Sequence, residues 1–205
     1  MFRPISQLSL MRLVFAWLMS SAVFATTYGI GDVRFEDSAT VFGQKLILNG
    51  AAASNILSAK STVVALYLSK KQNTQEGVAN LAGAKRISLI ALREISSKDL
   101  GNVLMDRIRQ NATQDEINSN VLQIVQIGGI FGTVPRLKKD DVVHIDWNPA
   151  KKQTEFRLND KLLGEQIQGE SFFGMFTKVW LGPKVREKTR AGLLGQGDPL
   201  EVVAP

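Results

Sequence analysis

The order of the predicted strands and helices constrains the fold of this chain more than any single motif does. Strand patterns and helix patterns come in groups and do not alternate as βαβ units. Grouped elements favour an α+β domain, in which helices pack on one face of a large, mostly antiparallel sheet. The predicted strands span residues 33–41, 45–49, 62–69, 85–92, 141–147, 154–158 and 162–167.

Two neighbouring strands flank a run of small residues. We predict a turn over Gly50–Ser54 (GAAAS), because small side chains at such a place let the backbone come close to another part of the molecule. The strand that follows is short, apolar and rich in β-branched or aromatic residues, which indicates burial. Its apolar residues are Val63, Val64, Leu66, Tyr67 and Leu68.

Helix signals are clearest after the strand that ends near Leu92. Ser96 and Ser97 are suitable N-caps, and the helix predicted over residues 98–111 carries an apolar stripe at helical spacing. A second strong signal is the run over residues 171–181 (SFFGMFTKVWL), which is so apolar that we expect it to be buried with Trp180 in the core. The other predicted helices span residues 74–81, 113–129 and 183–195.

The first 25 residues resemble a secretory signal peptide. Arg3 and Arg12 give a positive n-region, Leu13–Ala25 is an apolar h-region, and Val23-Phe24-Ala25 suits cleavage after Ala25. An uncleaved membrane anchor is the alternative, although the apolar run is shorter than the roughly 18 residues that a spanning helix needs. We therefore expect an exported, periplasmic chain with no stable membrane span after cleavage.

The remaining 205 − 25 = 180 residues suit one domain, which we place at residues 26–195, followed by a flexible tail at residues 196–205. The chain has no cysteine, so neither a disulfide framework nor a thiol nucleophile is available. Loss of Arg3 and Arg12 lowers the net charge from +6 to +4. Basic residues alternate with acids, as in Lys184–Lys188, and this pattern indicates a solvated helix face and no nucleic-acid partner.

Catalytic and metal-binding patterns are absent from the sequence. It contains no nucleophile elbow, zinc-protease motif, P-loop or dinucleotide fingerprint. The single histidine, His144, lies in a predicted strand, where we expect it on the solvent side beside Asp146. One histidine and no cysteine offer little to a transition metal, so we expect no metal and no cofactor.

Several segments together resemble the chalcone isomerase-like family, in its exported bacterial branch. The resemblance runs from about Gly43 to Gly195, with its parts in the family's order. The segments that carry it are LNGAAAS (48–54), VVALYL (63–68), the strand 85–92 with the Ser-capped helix after it, KDD (139–141), the hairpin 159–167 and SFFGMFTKVWLGPKVREKTRAGLLG (171–195). It implies an open-faced β-sandwich with a large antiparallel sheet and a helical layer.

The resemblance also places the polar residues that the plant-type enzymes use to close a chalcone ring without a cofactor. The family's arginine position falls at Ser54 or just after it, and no arginine occurs from Ala51 to Leu68. Thr62 falls at the threonine position, Leu100 at the helix tyrosine and Arg107 at the asparagine. Loss of the arginine and the tyrosine removes donors of the kind that stabilise developing charge, each commonly worth about 10²–10³ in rate.

The residues described above are compatible with three functions. The first is a non-catalytic exported domain that binds a hydrophobic or fatty-acid-like small molecule in a cleft between sheet and helices, since some proteins of this fold bind fatty acids. The alternatives are an intramolecular lyase or isomerase with an altered residue set, and a ligand-free structural or interaction module of the cell envelope. We assign no catalytic residue. The candidate ligand-binding residues are Thr62, Val64, Leu100, Leu104 and Arg107.

Overall fold

The computed structural model describes residues 26–56 and 59–203, which form an α+β fold around one large antiparallel sheet. The predicted signal peptide at residues 1–25 lies outside the described residues. The strands are β1 (Thr27–Ile30), β2 (Val33–Glu36), β3 (Ser38–Val41), β4 (Gln44–Ile56), β5 (Ala59–Leu68), β6 (Lys85–Ala91), β7 (Ile95–Ser96), β8 (Arg136–Leu137), β9 (Val142–Asn148), β10 (Gln153–Leu158), β11 (Lys161–Leu162), β12 (Ile167–Gln168) and β13 (Glu201–Val203). The helices are α1 (Gln75–Asn80), α2 (Ser97–Asn111), α3 (Gln114–Ser119), α4 (Val121–Gly132), α5 (Glu170–Leu181) and α6 (Glu187–Leu193).

The large sheet has the order β11-β10-β9-β6-β5-β4-β3, with β12 also paired to β10. Its neighbouring strands are antiparallel throughout. A smaller sheet of order β13-β1-β2 and the short pair β7-β8 complete the strand pairing among the described residues. This architecture confirms the predicted α+β fold with its mostly antiparallel sheet and helical layer.

Side chains on the two faces of the sheet belong to two separate apolar clusters. The alternation of β-strands sends Ile87 and Leu89 toward the helical layer, where they pack with residues of α2, α4 and α5. The other face packs in part against the N-terminal strands, through Phe35, Val63 and Tyr67 among others. The helical layer therefore covers one face, and the polar residues of β6, β9 and β10 occupy the rest of the other.

The capping residues in the sequence correctly predicted where most helices begin. The side chains of Thr74, Ser96 and Thr113 accept hydrogen bonds from the first turns of α1, α2 and α3, as N-cap residues do. The helix predicted over residues 113–129 is in fact two helices, which meet at Asn120. Asn120 is the C-cap of α3, and its buried side chain donates to the Glu116 carbonyl oxygen in the last turn of that helix.

Two further expectations differ from the structure. Gly50–Ser54 is not a turn, because β4 runs straight through it and has irregular register at Leu48/Gly50 and Ser54/Asn55. Part of the tail that we expected to be flexible forms β13, whose residues 201–203 pair with β1. No helix in the described part of the chain is long and apolar enough to cross a membrane.

Candidate functional site

The guanidinium group of Arg107 is the centre of the candidate site. Arg107 lies on α2 and is half-buried, and its side chain reaches the far end of β4. Its Nη1 donates to Ser54 Oγ at 3.1 Å and its Nη2 to the Asn55 carbonyl oxygen at 2.6 Å. Both acceptors are neutral, so these bonds orient the guanidinium group without neutralising its charge.

Thr62 lies beside this contact on β5. Its Oγ1 donates to the Ser54 carbonyl oxygen at 3.2 Å, and the residue is only 1% exposed. The structure thus brings together Thr62, Ser54 and Arg107, three of the four positions that the resemblance placed in the site. The Thr62 hydroxyl group already donates its proton within the sheet and the residue is buried, so this group joins β4 to β5 and cannot donate to a ligand.

A small cavity of about 170 Å³ opens next to Arg107, and its wall is strongly positive. Lys184 and Arg186 border it from the loop that precedes α6, and both side chains are exposed. Burial and the nearby charge of Arg186 lower the pKa of Arg107. The complete lining is Asn55, Arg107, Gln110, Lys184, Val185, Arg186 and Thr189, none of which is acidic.

Helix α6 forms the third wall by packing against an exposed edge of the sheet. Strand β3 pairs only with residues 44–47 of β4, so the later part of β4 has an open edge. Thr189 Oγ1 on α6 donates to the Ala53 carbonyl oxygen at 2.9 Å, and a Cβ on Gly50 would clash with the Gly192 carbonyl oxygen. The small residues of β4 therefore let a helix lie directly against the backbone, which is the close approach that the sequence indicated.

A larger cleft of about 860 Å³ adjoins the small cavity on the other side of α6. The two share Asn55, Arg186 and Thr189 in their walls. The floor of the larger cleft is Ala51–Ala53 of β4, and Pro199 and Leu200 of the C-terminal segment lie opposite. Its volume lies within the range of about 300–1,000 Å³ that is typical of small-molecule sites, whereas the small cavity alone is too small for a lipid.

The other predicted site residues lie in the packed core. Val64 and Leu100 are 0% and 2% exposed and belong to the cluster between sheet and helices. Leu104 is also buried, and it borders a different groove, between α2 and α4. The cleft expected between Thr62, Val64, Leu100 and Leu104 is instead filled by side chains, so of the predicted set only Arg107 lines the candidate site.

His144 belongs to a polar group on the opposite face of the sheet. Its Nδ1 lies 2.9 Å from Ser88 Oγ and its Nε2 lies 3.7 Å from Asp160 Oδ1, while Asp146 pairs with Arg86 and not with His144. Burial is the main cause that lowers the pKa of His144 below its ordinary value of 6.5. The Ser88 side chain is buried at 4% exposure, whereas the His144 side chain is 16% exposed. Within residues 26–56 and 59–203, no cluster of three or more acidic or histidine side chains could hold a metal ion.

Comparison with known proteins agrees with this architecture. The family model described as chalcone isomerase-like matches residues 27–195, which is most of the chain. The chain belongs to the chalcone isomerase-like family. No curated protein matches it. Among solved structures, a fatty-acid binding protein from Arabidopsis thaliana shares the fold, with a TM-score of 0.62 over 82% of this chain and 95% of that chain, at 10% sequence identity.

This chalcone isomerase-like domain contains site residues that the sequence analysis missed. We interpreted Lys184–Lys188 as a solvated helix face, but α6 begins only at Glu187, and the loop before it directs Lys184 and Arg186 toward the cavity. Thr189 was also missed, because its contact with Ala53 joins residues 136 positions apart in the chain. No local pattern in the sequence indicates this wall, because Val185 and Glu187 separate the basic residues as they would on a solvated helix face.

Proposed function

We propose that this chain is a non-catalytic, exported binding protein of the bacterial cell envelope, and that it holds an amphipathic carboxylate such as a fatty acid. The observation that carries the proposal is the Arg107 guanidinium group, half-buried beside two other cations and bonded only to neutral oxygens. Among the residues that the structure describes, no carboxylate forms an ion pair with it.

A half-buried cation without a counterion is unfavourable, because desolvation destabilises the charged form. A ligand carboxylate in the cavity would restore the missing charge and accept charge-assisted hydrogen bonds from a guanidinium group that Ser54 and Asn55 already orient. The apolar part of the ligand would then extend past Thr189 into the larger cleft over Ala51–Ala53. The fatty-acid binding neighbour supports this choice of ligand class.

The first test compares two arginines of the same helix. Arg107→Ala should weaken the binding of a long-chain fatty acid by about tenfold or more, because a hydrogen bond to a charged group is worth about 1.5–3 kcal/mol. Arg109→Ala is the matched control, since Arg109 is exposed and forms a surface ion pair with Asp106. Calorimetric titration of the wild type and both variants measures the difference.

Equal affinities for the two variants, or no fatty-acid binding by the wild type, would remove Arg107 from the site. Unfolding curves of Arg107→Ala separate a local loss of binding from a general loss of structure, because this variant also loses its bonds to Ser54 and Asn55. Arg107→Lys keeps the positive charge but loses the planar guanidinium group with its two parallel donors. This variant should therefore bind the fatty acid with an affinity between those of the wild type and Arg107→Ala.

One observation favours a second candidate, a cofactor-independent lyase or isomerase. The Arg107 guanidinium group reaches Ser54, so a cation from the helix occupies the region where the resemblance places the strand arginine. We nevertheless expect no chalcone ring closure above the spontaneous rate, because Leu100 replaces the tyrosine and the Thr62 hydroxyl is engaged. An absorbance assay decides this, and a protein-dependent rate that Arg107→Ala abolishes would establish the enzyme instead.

The proposed export of this chain is inferred from the sequence of residues 1–25. A positive n-region, an apolar h-region and the Val23-Phe24-Ala25 end support cleavage after Ala25 and residence in the periplasm. Amino-terminal sequencing of the mature protein should therefore begin at Thr26. An intact Met1 or Met11 in a membrane fraction would show an anchored protein instead.

A further inference from the structure

Helix α4 exposes apolar side chains to solvent. Val121, Leu122 and Val125 are 51%, 74% and 70% exposed, and they lie within two turns of one helix. Isolated exposed apolar residues are ordinary, but a contiguous group of this kind marks a surface that a partner covers.

The exposed stripe of α4 has two different halves. Val121, Val125, Gly128 and Gly132 recur at spacings of four, three and four, which places them on one side of the helix. Val121 and Val125 carry bulky apolar side chains, whereas Gly128 and Gly132 carry no side chain. A Cβ added at Gly128 or Gly132 would meet no atom within 4 Å, so the glycines leave open space beside the helix.

We propose that α4 pairs in an antiparallel manner with α4 of a second copy of this chain, around a two-fold axis near the middle of the helix. A two-fold axis superimposes the same surface on itself in the reverse direction. The register that this requires places Val121 against Gly132 of the second copy and Val125 against Gly128. Each bulky residue then meets a glycine, and the two backbones can approach closely.

Helix α4 contains no charged residue. Two α4 helices would therefore meet without burying an unpaired ion, which would be unfavourable.

An apolar groove beside the stripe strengthens the same arrangement. This groove of about 370 Å³ lies between α2 and α4, and its wall includes Met105, Ile124 and Phe131 together with Gly128 and Gly132. The glycines thus form one border of a pocket that is open to the second copy.

Sedimentation equilibrium of the purified chain tests the proposal. We expect the wild type to reach twice the monomer mass as its concentration rises, and Val125→Glu to remain a monomer because two carboxylates would meet apolar surface. Gly128→Leu should also give a monomer, since the added side chain points into open space in the isolated chain. Val202→Glu is the control, because Val202 is 68% exposed but lies on β13, and it should not change the mass.

Disulfide cross-linking tests the direction of pairing, because the chain has no cysteine of its own. A mixture of Val121→Cys and Gly132→Cys chains should form a mixed disulfide faster than Val121→Cys forms one with itself. A wild type that stays monomeric at about 100 μM would overturn the proposal. A dimer that both Val125→Glu and Gly128→Leu leave intact would overturn it too, as would Val125-dependent binding of anionic vesicles by a monomer.

Discussion

Trp180→Ala is expected to lower the free energy of unfolding by about 3–5 kcal/mol, the range for large aromatic residues truncated in a core. Trp180 lies near the end of α5 and is 2% exposed. Its ring meets the ring of Phe176 edge-on at 5.6 Å, and Phe176 in turn packs on Phe172 and Phe156. Loss of the indole group would leave a cavity in the middle of the layer that joins α5 to the sheet.

Denaturant unfolding measures this effect, with Val202→Ala as the control. Val202 is largely exposed, so its truncation should change stability by no more than about 0.5 kcal/mol. A loss below about 1 kcal/mol for Trp180→Ala would mean that the Trp180 side chain is not packed in the core between α5 and the sheet.

The second large effect is expected for Asp146→Ala, at about 3–5 kcal/mol, because removal of one partner leaves the other charge buried and unpaired. Asp146 on β9 is 1% exposed and accepts two parallel hydrogen bonds from Arg86 on β6, at 2.6 and 2.7 Å. The pairing of these two strands places the residues directly opposite one another. The Arg86 guanidinium group would keep its charge, since the pKa of arginine is far above neutral pH.

A matched control exists in the exposed pair of Asp106 and Arg109. Both of these side chains are more than half exposed, so Asp106→Ala should cost less than about 1 kcal/mol. A double variant that replaces Arg86 with methionine and Asp146 with leucine should regain most of the lost stability, because it leaves no unpaired charge. If Asp146→Ala and Asp106→Ala cost the same, the buried pair is not coupled as the geometry indicates.

The sequence predicted those parts of the fold that depend on local patterns. The apolar run of α5, the alternation along β9 and the serine cap of α2 all appear where periodicity and capping placed them. The turn predicted at Gly50–Ser54 was wrong for a physical reason. Small residues there serve the close approach of α6, a contact between residues more than 130 positions apart, and no local pattern distinguishes that use from a turn.

The candidate site was predicted only in part. The resemblance aligned Thr62, Ser54 and Arg107 with polar positions of the family, and hydrogen bonds join the three residues in the structure. That Arg107 binds a ligand stays a prediction. The resemblance could not show that Val64 and Leu100 fill the space between sheet and helices, because apolar residues that line a cavity and those that fill a core have the same periodicity. The contributions of Lys184, Arg186 and Thr189 depend on where the loop before α6 lies, which is set by tertiary packing.

A ligand carboxylate bound at Arg107 is central to the proposed function, and native mass spectrometry of the protein purified from the cell envelope detects such a ligand directly. The predicted result is a bound species with the mass of a fatty acid or similar lipid carboxylate on the wild type and on Arg109→Ala, and a much reduced occupancy on Arg107→Ala. A wild type that carries no such mass, and that takes up no fatty acid when one is added, would contradict the proposed function.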